Sequence, residues 1–311
     1  MGMSDFYGPA DRAESIATIH AAIDAGVNLL DTGDFYGMGH NELLIAEALR
    51  GMARDKVILS VKFGAQRDPN GVWQGTDCRP AAVKTSLAYT LKRLNTDYVD
   101  IYRPARLDPD VPIEETVGAI TDMVSAGYVR HIGLSEMGSE TLRRASSIHP
   151  ICDLQIEYSL LSRGIEKSIL NTCRQLGIGI TAYGVLSRGL ISEQWAKLQL
   201  TAKDFRSYSP RFRGDNLDRN LKALEPLREL ASLKNATVAQ VAIAWALSRG
   251  EDIVPLLGSR RRETFHESVA ALNISLSVED LELLDKAFPD GVAAGNRYAE
   301  PQMSHLDSER G

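Results

Sequence analysis

Val27-Asn28-Leu29-Leu30-Asp31-Thr32-Gly33-Asp34-Phe35-Tyr36-Gly37 joins a short apolar run to a polar, glycine-bearing turn. Val57–Lys62 repeats the pattern, with its charged residue at the same end. Further short runs follow at Tyr98–Arg103, His131–Ser135, Asp153–Glu157, Gly179–Tyr183 and Ile253–Gly258. Most are rich in Val, Ile or Leu, as buried parallel strands are. Helical patterns lie between them. Ala13–Ala25 ends at Gly26, Asn41–Arg50 at Gly51, Ile113–Ala126 at Gly127 and Ile165–Leu176 at Gly177, while Pro80 opens Ala81–Leu94. Glycine past a helix end and proline at its first turn are the expected punctuation. Strand then helix, repeated with no low-complexity linker, predicts a single α/β domain over residues 1–311, a (β/α)8 TIM barrel. The competing architecture, an open doubly wound sheet, usually carries Gly-x-Gly-x-x-Gly after its first strand, and no such turn occurs here.

The sequence offers seven such strands, one fewer than the barrel needs. Met1-Gly2-Met3 stands just ahead of a turn, Tyr7-Gly8-Pro9, and the first helix. The expectation is an N-terminally shortened barrel with most of strand 1 absent, whose neighbouring strands lose a partner.

Composition narrows the class. With 44% apolar and 24% charged residues, the chain is an ordinary globular protein. A net charge of −6 argues against nucleic-acid and membrane-surface partners. No apolar run approaches the ~20 residues that span a bilayer, and the N-terminus does not read as a secretory signal. Cys78, Cys152 and Cys173 are widely spaced, which predicts reduced thiols in a cytoplasmic protein rather than a disulfide framework or metal site.

The strand ends carry the chemistry. In β/α barrels the site lies at the C-terminal ends of the strands. Here those ends hold Asp31, Lys62, Arg103, Ser135, Gln155 with Glu157, Tyr183, and Gly258-Ser259-Arg260. Loops beginning at strand ends explain one or two polar residues. A lysine within the last strand residues needs a partner, and Asp31 is the natural one. A phenol has a pKa near 10, and a nearby ammonium is expected to lower it. Tyr36 would then donate a proton to a carbonyl oxygen. With no nucleophile–base pair and no metal-ligand spacing, this set suits hydride transfer from a bound cofactor.

These residues resemble the aldo-keto reductase family along essentially the whole chain. Asn28–Gly37 is similar to the family's first signature, with Gly33 where Ala is usual, and Ser60-Val61-Lys62-Phe63-Gly64 resembles its lysine segment. Ile132–Glu136, Leu154–Leu160 and Ala182–Leu190 resemble its cofactor-binding segments. The resemblance implies Asp31, Tyr36 and Lys62 as catalytic residues. It implies Ser135 and Gln155 at a nicotinamide carboxamide and Tyr183 stacked on the ring. Leu186, Arg188 and Gly189 would approach the pyrophosphate, Gly258, Ser259 and Arg260 the adenosine ribose and 2′-phosphate, and Glu267 the adenine. Arg260-Arg261-Arg262 favours NADP(H) over NAD(H) through charge-assisted bonds to a phosphate.

The chain departs from the pattern at Ala105, which stands where the family has histidine, with Arg103 and Arg106 on either side. Three readings follow. The first is a reductase of small-molecule carbonyls. The second is a cofactor-binding regulatory protein with weak turnover, like the reductase-like β subunits of potassium channels. The third is a Schiff-base enzyme using Lys62. The first agrees best with the residues retained. Trp73 in the loop 65–79 and Trp195, Phe205, Tyr208 and Phe212 in the loop 191–219, with Phe6, Tyr7 and Phe35, suggest an aromatic mouth for an aryl or medium apolar aldehyde. Homo-oligomerisation is left open.

Overall fold

Strand β1 (Leu29–Gly33) lies parallel to β2 (Ile58–Phe63), with Asp31 opposite Ser60 and Gly33 opposite Lys62. This register belongs to a computed structural model describing residues 1–192, 195, 200, 201 and 204–310; residues 193, 194, 196–199, 202 and 203 of the loop 191–219, and Gly311, lie outside the described residues. A short antiparallel hairpin, β3 (Ala65–Arg67) and β4 (Trp73–Thr76), follows. The sheet continues through β5 (Val99–Pro104), β6 (Val129–Ser135), β7 (Ile151–Glu157), β8 (Gly179–Tyr183) and β9 (Ile253–Pro255). Its order is β1-β2-β5-β6-β7-β8-β9, and every pairing is parallel. These seven strands are those read from the sequence, and the curled sheet with its helices has the α/β barrel architecture expected. Among the described residues no ladder joins β1 to β9.

Helices α1 (Arg12–Asp24), α2 (His40–Ala48), α3 (Pro80–Leu94), α4 (Ile113–Ser125), α5 (Ser139–Ile148) and α6 (Ile169–Leu176) alternate with the strands. Leu59, Val61, Phe63, Leu134, Leu154, Ile156 and Ala182 are buried along the strands. The helices α7 (Gly214–Ala223), α8 (Glu225–Leu233) and α9 (Val238–Ser248) precede β9. In α9, Val238, Ala239 and every position from Val241 to Ala246 are buried, and Trp245 packs 5.2 Å from Tyr158. A helix apolar all round belongs in a core. No single helix among the described residues is long and apolar enough to cross a membrane.

Three local readings need correction. The loop 65–79 contains the β3–β4 hairpin, whose turn is closed by the Asp68 carboxylate accepting from the Asn70 and Val72 N–H groups at 2.9 and 2.8 Å. The helix expected over Ile165–Leu176 starts as a tighter turn, Gly164–Lys167, and is interrupted at Ser168, where φ is −148°. The last strand ends at Pro255 rather than Gly258, its final bond to β8 coming from the Leu256 N–H to the Ala182 carbonyl at 2.8 Å.

Gly133 in β6 packs under a buried ion pair. A Cβ there would stand 2.5 Å from Asp153 Oδ1, 2.9 Å from Ile101 Cγ2 and 3.1 Å from Arg103 Cζ. Gly133→Ala is therefore expected to destabilise the fold by about 1–3 kcal/mol, read as a lower urea midpoint with unchanged slope; an unchanged midpoint would contradict this packing.

Candidate active site

Asp31 and Lys62 meet at the C-terminal ends of adjacent strands. Lys62 Nζ donates to Asp31 Oδ2, and the two side chains are only 4% and 7% exposed. Asp31 Oδ1 also accepts from Ser60 Oγ at 2.9 Å and from Gln155 Nε2 at 2.8 Å. Burial alone would raise the Asp31 pKa, but the Lys62 and Arg103 charges and these hydrogen bonds hold it below the usual carboxylate value. Burial and the Arg103 charge lower the Lys62 pKa against the pull of Asp31.

Tyr36 lies beside this pair, 8% exposed, with Lys62 Nζ 5.0 Å from the centre of its ring. The ammonium was expected to lower the phenol's pKa, and the outcome is the reverse. Burial first, and then the Asp31 charge, raise it well above its ordinary value, while Arg106 opposes them. Lys62 spends its charge on Asp31, so Tyr36 stays a neutral phenol that holds its proton.

A second polar layer forms above Ser135 and was not read from the sequence. Glu136, fully buried, adopts φ of 53°, a region few non-glycine residues visit. Its carboxylate accepts from Arg297 Nη1 and Nη2 at 3.0 and 2.8 Å, from Tyr183 Oη at 2.6 Å and from Ser308 Oγ at 2.6 Å. Burial would raise its pKa, yet the Arg297 charge and these bonds hold it far below the carboxylate range. Glu157 joins Arg188 at 2.8 Å, Arg297 at 3.3 Å and Arg211 at 3.5 Å. Tyr298 places its hydroxyl 2.9 Å from that of Tyr183, and its ring 4.3 Å from the Arg188 guanidinium. Only contacts across the fold reveal this layer, since Glu136 and Arg297 are 161 positions apart; Glu157, Tyr183 and Arg188 were its trace in the sequence.

The other expected site residues fall as follows. Ser135 ends β6, is buried, and its hydroxyl makes no hydrogen bond to a described residue. Tyr183 ends β8, and Leu186 and Gly189 flank a turn in which Ser187, Arg188 and Gly189 have φ of 45°, 58° and 91°. Arg188 is engaged by Glu157 and by the Arg297 carbonyl. Gly258 and Ser259 follow β9; a Cβ on Gly258 would meet open space, and Ser259 Oγ caps the Arg261 carbonyl at 2.9 Å. Arg260 Nη1 donates to the Tyr7 and Pro9 carbonyls at 2.8 and 3.1 Å, and no carboxylate of a described residue pairs with it. Arg262 belongs instead to Glu14, at 2.8 Å. Glu267 lies in the helix α10 (Arg262–Val269), and its carbonyl accepts from Gln240 at 3.1 Å. Ala105 is 2% exposed at the end of β5. Arg103 is scaffold, fully buried and bound to Asp153 and Ser60, each at 2.9 Å. No group of three or more His, Cys, Asp or Glu placed to hold a metal occurs among the described residues.

The strand ends of this parallel barrel gather a neutral phenol, a buried ammonium–carboxylate pair and an arginine paired with no carboxylate of a described residue. The chain belongs to the aldo/keto reductase family, whose sequence profile matches residues 1–288. It is 40% identical over 301 residues to a probable aldo-keto reductase 1 of Glycine max, covering 96% of this chain and 86% of that one. Among solved structures, a glycerol dehydrogenase from Gluconobacter oxydans superimposes with a TM-score of 0.83 at 27% identity, covering 91% and 88% of the two chains. An aldo/keto reductase from Klebsiella pneumoniae, in complex with NADP and acetate, gives 0.73 at 26% identity, covering 95% and 93%.

Asp34, in the turn after β1, has its pKa pushed up to about 7, by burial and then by the Glu42 charge. Its Oδ1 is buried without a partner among the described residues. A carboxyl raised in the folded state favours folding below its unfolded pKa of about 3.9 and loses that contribution as pH rises, here through about 7. Asp34→Asn is thus expected to flatten the fall in urea midpoint of the wild-type protein between weakly acid and weakly alkaline pH. Parallel profiles for the two proteins would contradict it.

Proposed function

We propose that the protein is an NADP(H)-dependent oxidoreductase that reduces an aldehyde or ketone to the alcohol, with Tyr36 as proton donor and Lys62 and Asp31 beside it. One observation carries this reading: the neutral Tyr36 phenol held against the buried Lys62–Asp31 pair at the strand ends. Such a phenol surrenders its proton only as negative charge develops on a nearby oxygen, and Lys62 then faces the phenolate left behind.

The residues fit a phosphorylated nicotinamide cofactor. Arg260 is anchored by two carbonyls, crowded by the Arg206 and Arg261 charges and paired with no carboxylate of a described residue, as a phosphate site requires. At the other end, Ser135 has a spare hydroxyl and Gln155 a spare amide oxygen for a carboxamide, beside the Tyr183 ring. Gly258, Ser259 and Glu267 would border the adenosine, and Leu186 and Gly189 the pyrophosphate. Arg188, already held by Glu157, serves as scaffold. When bound, NADPH supplies the hydride.

For the substrate, edge-to-face contacts of Phe35 with Tyr36 at 4.7 Å and with Trp73 at 6.5 Å, and of Phe6 with Tyr36 at 6.3 Å, form an aromatic rim around the phenol. That rim suits an aryl or medium apolar aldehyde. Buried Ala105 favours a second reading, a cofactor-binding protein with little turnover.

The test is nicotinamide absorbance with NADPH and then NADH against a panel of aldehydes. Oxidation, faster with NADPH, is the expected result, and Tyr36→Phe should cut turnover by about 10²–10⁴-fold with NADPH affinity unchanged. NADPH binding without oxidation of any aldehyde would support the second reading, and full turnover by the Tyr36→Phe protein would remove Tyr36 from the mechanism.

A further inference from the structure

Arg106 follows Ala105 at the end of β5, partly buried at the barrel mouth. Its Nη1 donates to the Ala105 carbonyl at 2.6 Å, which fixes the guanidinium against the strand end. Its Nη2 reaches Tyr298 Oη at 3.5 Å, and the guanidinium stands 5.9 Å from the centre of the Tyr298 ring. These are its only hydrogen bonds to described residues, and none of their carboxylates forms an ion pair with it. A guanidinium carries five N–H donors, so most of its capacity is unspent.

The neighbouring arginines differ. Arg103 is paired with Asp153 and donates to Ser60, while Arg188, Arg211 and Arg297 share Glu157 and Glu136. Arg106 instead bonds a carbonyl and a hydroxyl; the Glu136 carboxylate acts on it only through its charge, and its own charge acts on Tyr36, Lys62 and Tyr183. The groups around the Tyr36 phenol are Asp31, Lys62, Tyr7, Tyr298 and Arg106. Lys62 is held by Asp31, and Arg106 is a guanidinium there with donors to spare.

We propose that Arg106 binds the substrate's carbonyl oxygen, holding it between the guanidinium and the Tyr36 hydroxyl. This rests on the reductase reading and assigns the group that takes up the charge formed there. As hydride adds to the carbonyl carbon, the C=O π pair moves onto oxygen and the oxygen takes the Tyr36 proton. A bound NADPH would supply that hydride and be oxidised to NADP+, and a proton taken up from solvent would restore the phenol. A guanidinium preset beside that oxygen needs no reorganisation as the charge appears. The oxygen of a ketone or aldehyde and the oxygens of a carboxylate share this recognition chemistry, so a carboxylate serves as a probe that needs no turnover.

The experiment measures benzoate affinity for the NADP+ complex by calorimetry, alongside kcat/KM for benzaldehyde, in wild-type, Arg106→Met and Arg106→Lys proteins. NADP+ affinity and thermal midpoint confirm that each variant is folded. Arg106→Met is expected to weaken benzoate by about tenfold or more and to lower kcat/KM by about 10²–10³-fold, with Arg106→Lys intermediate in both. Unchanged benzoate affinity and kcat/KM in Arg106→Met overturn the proposal while leaving the reductase reading intact. Loss of benzoate affinity in Arg106→Met, with no aldehyde reduced by any of the three proteins, supports Arg106 as the oxygen-binding group and overturns the reductase reading instead.

Discussion

The ion pair between Asp31 and Lys62 is the constraint on which the barrel mouth depends. Two opposite charges taken out of water are tolerated only when each remaining lone pair and proton finds a partner. Register supplies the first condition, since the parallel β1–β2 ladder sets Asp31 opposite Ser60 and Gly33 opposite Lys62. Gly33 leaves room, as a Cβ there would stand 3.4 Å from Lys62 Cβ and 3.1 Å from Phe35. Hydrogen bonds supply the second. Ser60 and Gln155 complete Asp31, Arg103 donates to Ser60 and pairs with Asp153, and Thr181 donates to Asp153 at 2.6 Å. A polar band thus ties β1, β2, β5, β7 and β8 together at one level of the sheet.

The chemistry inherits its character from that band. Because Lys62 is held by Asp31, Tyr36 is left neutral and raised by burial, a store of one proton rather than a ready phenolate. Above it, Glu136 and Glu157 collect Arg188, Arg211 and Arg297, so the arginines around Tyr183 are largely neutralised. Arg106 and Arg260 escape this pairing. One stands by Tyr36 and the other beside the turn after β9, the two places where the proposed reduction with a phosphorylated cofactor would bring negative charge. The placement of these two guanidinium groups, paired with no carboxylate of a described residue, matches the proposed reaction more than any single residue does.

Much of this was legible in the sequence. The strands were visible because buried parallel strands are short apolar runs, and their ends marked Asp31, Lys62, Ser135, Gln155 and Tyr183 because polar residues interrupt those runs there. The protonation of Tyr36 was misread, since proximity of Lys62 could be inferred but burial could not. The Glu136–Arg297 layer escaped because it joins residues far apart in the chain through contacts that leave no local pattern. Arg262 looked like a phosphate ligand until its pairing with Glu14, on another helix, came into view. The β3–β4 hairpin was hidden by turn chemistry at Asp68, which imitates an irregular loop.

The account stands or falls on the Asp31–Lys62 pair, and a double-mutant cycle on unfolding free energy tests it most directly. Asp31→Leu alone leaves Lys62 buried without a partner and is expected to cost about 3–5 kcal/mol. Adding Lys62→Met should recover most of that loss, because two apolar side chains can occupy the site without stranding a charge. Losses that simply add, with the double variant no better than Asp31→Leu, would show that the two residues do not depend on each other and would contradict the account.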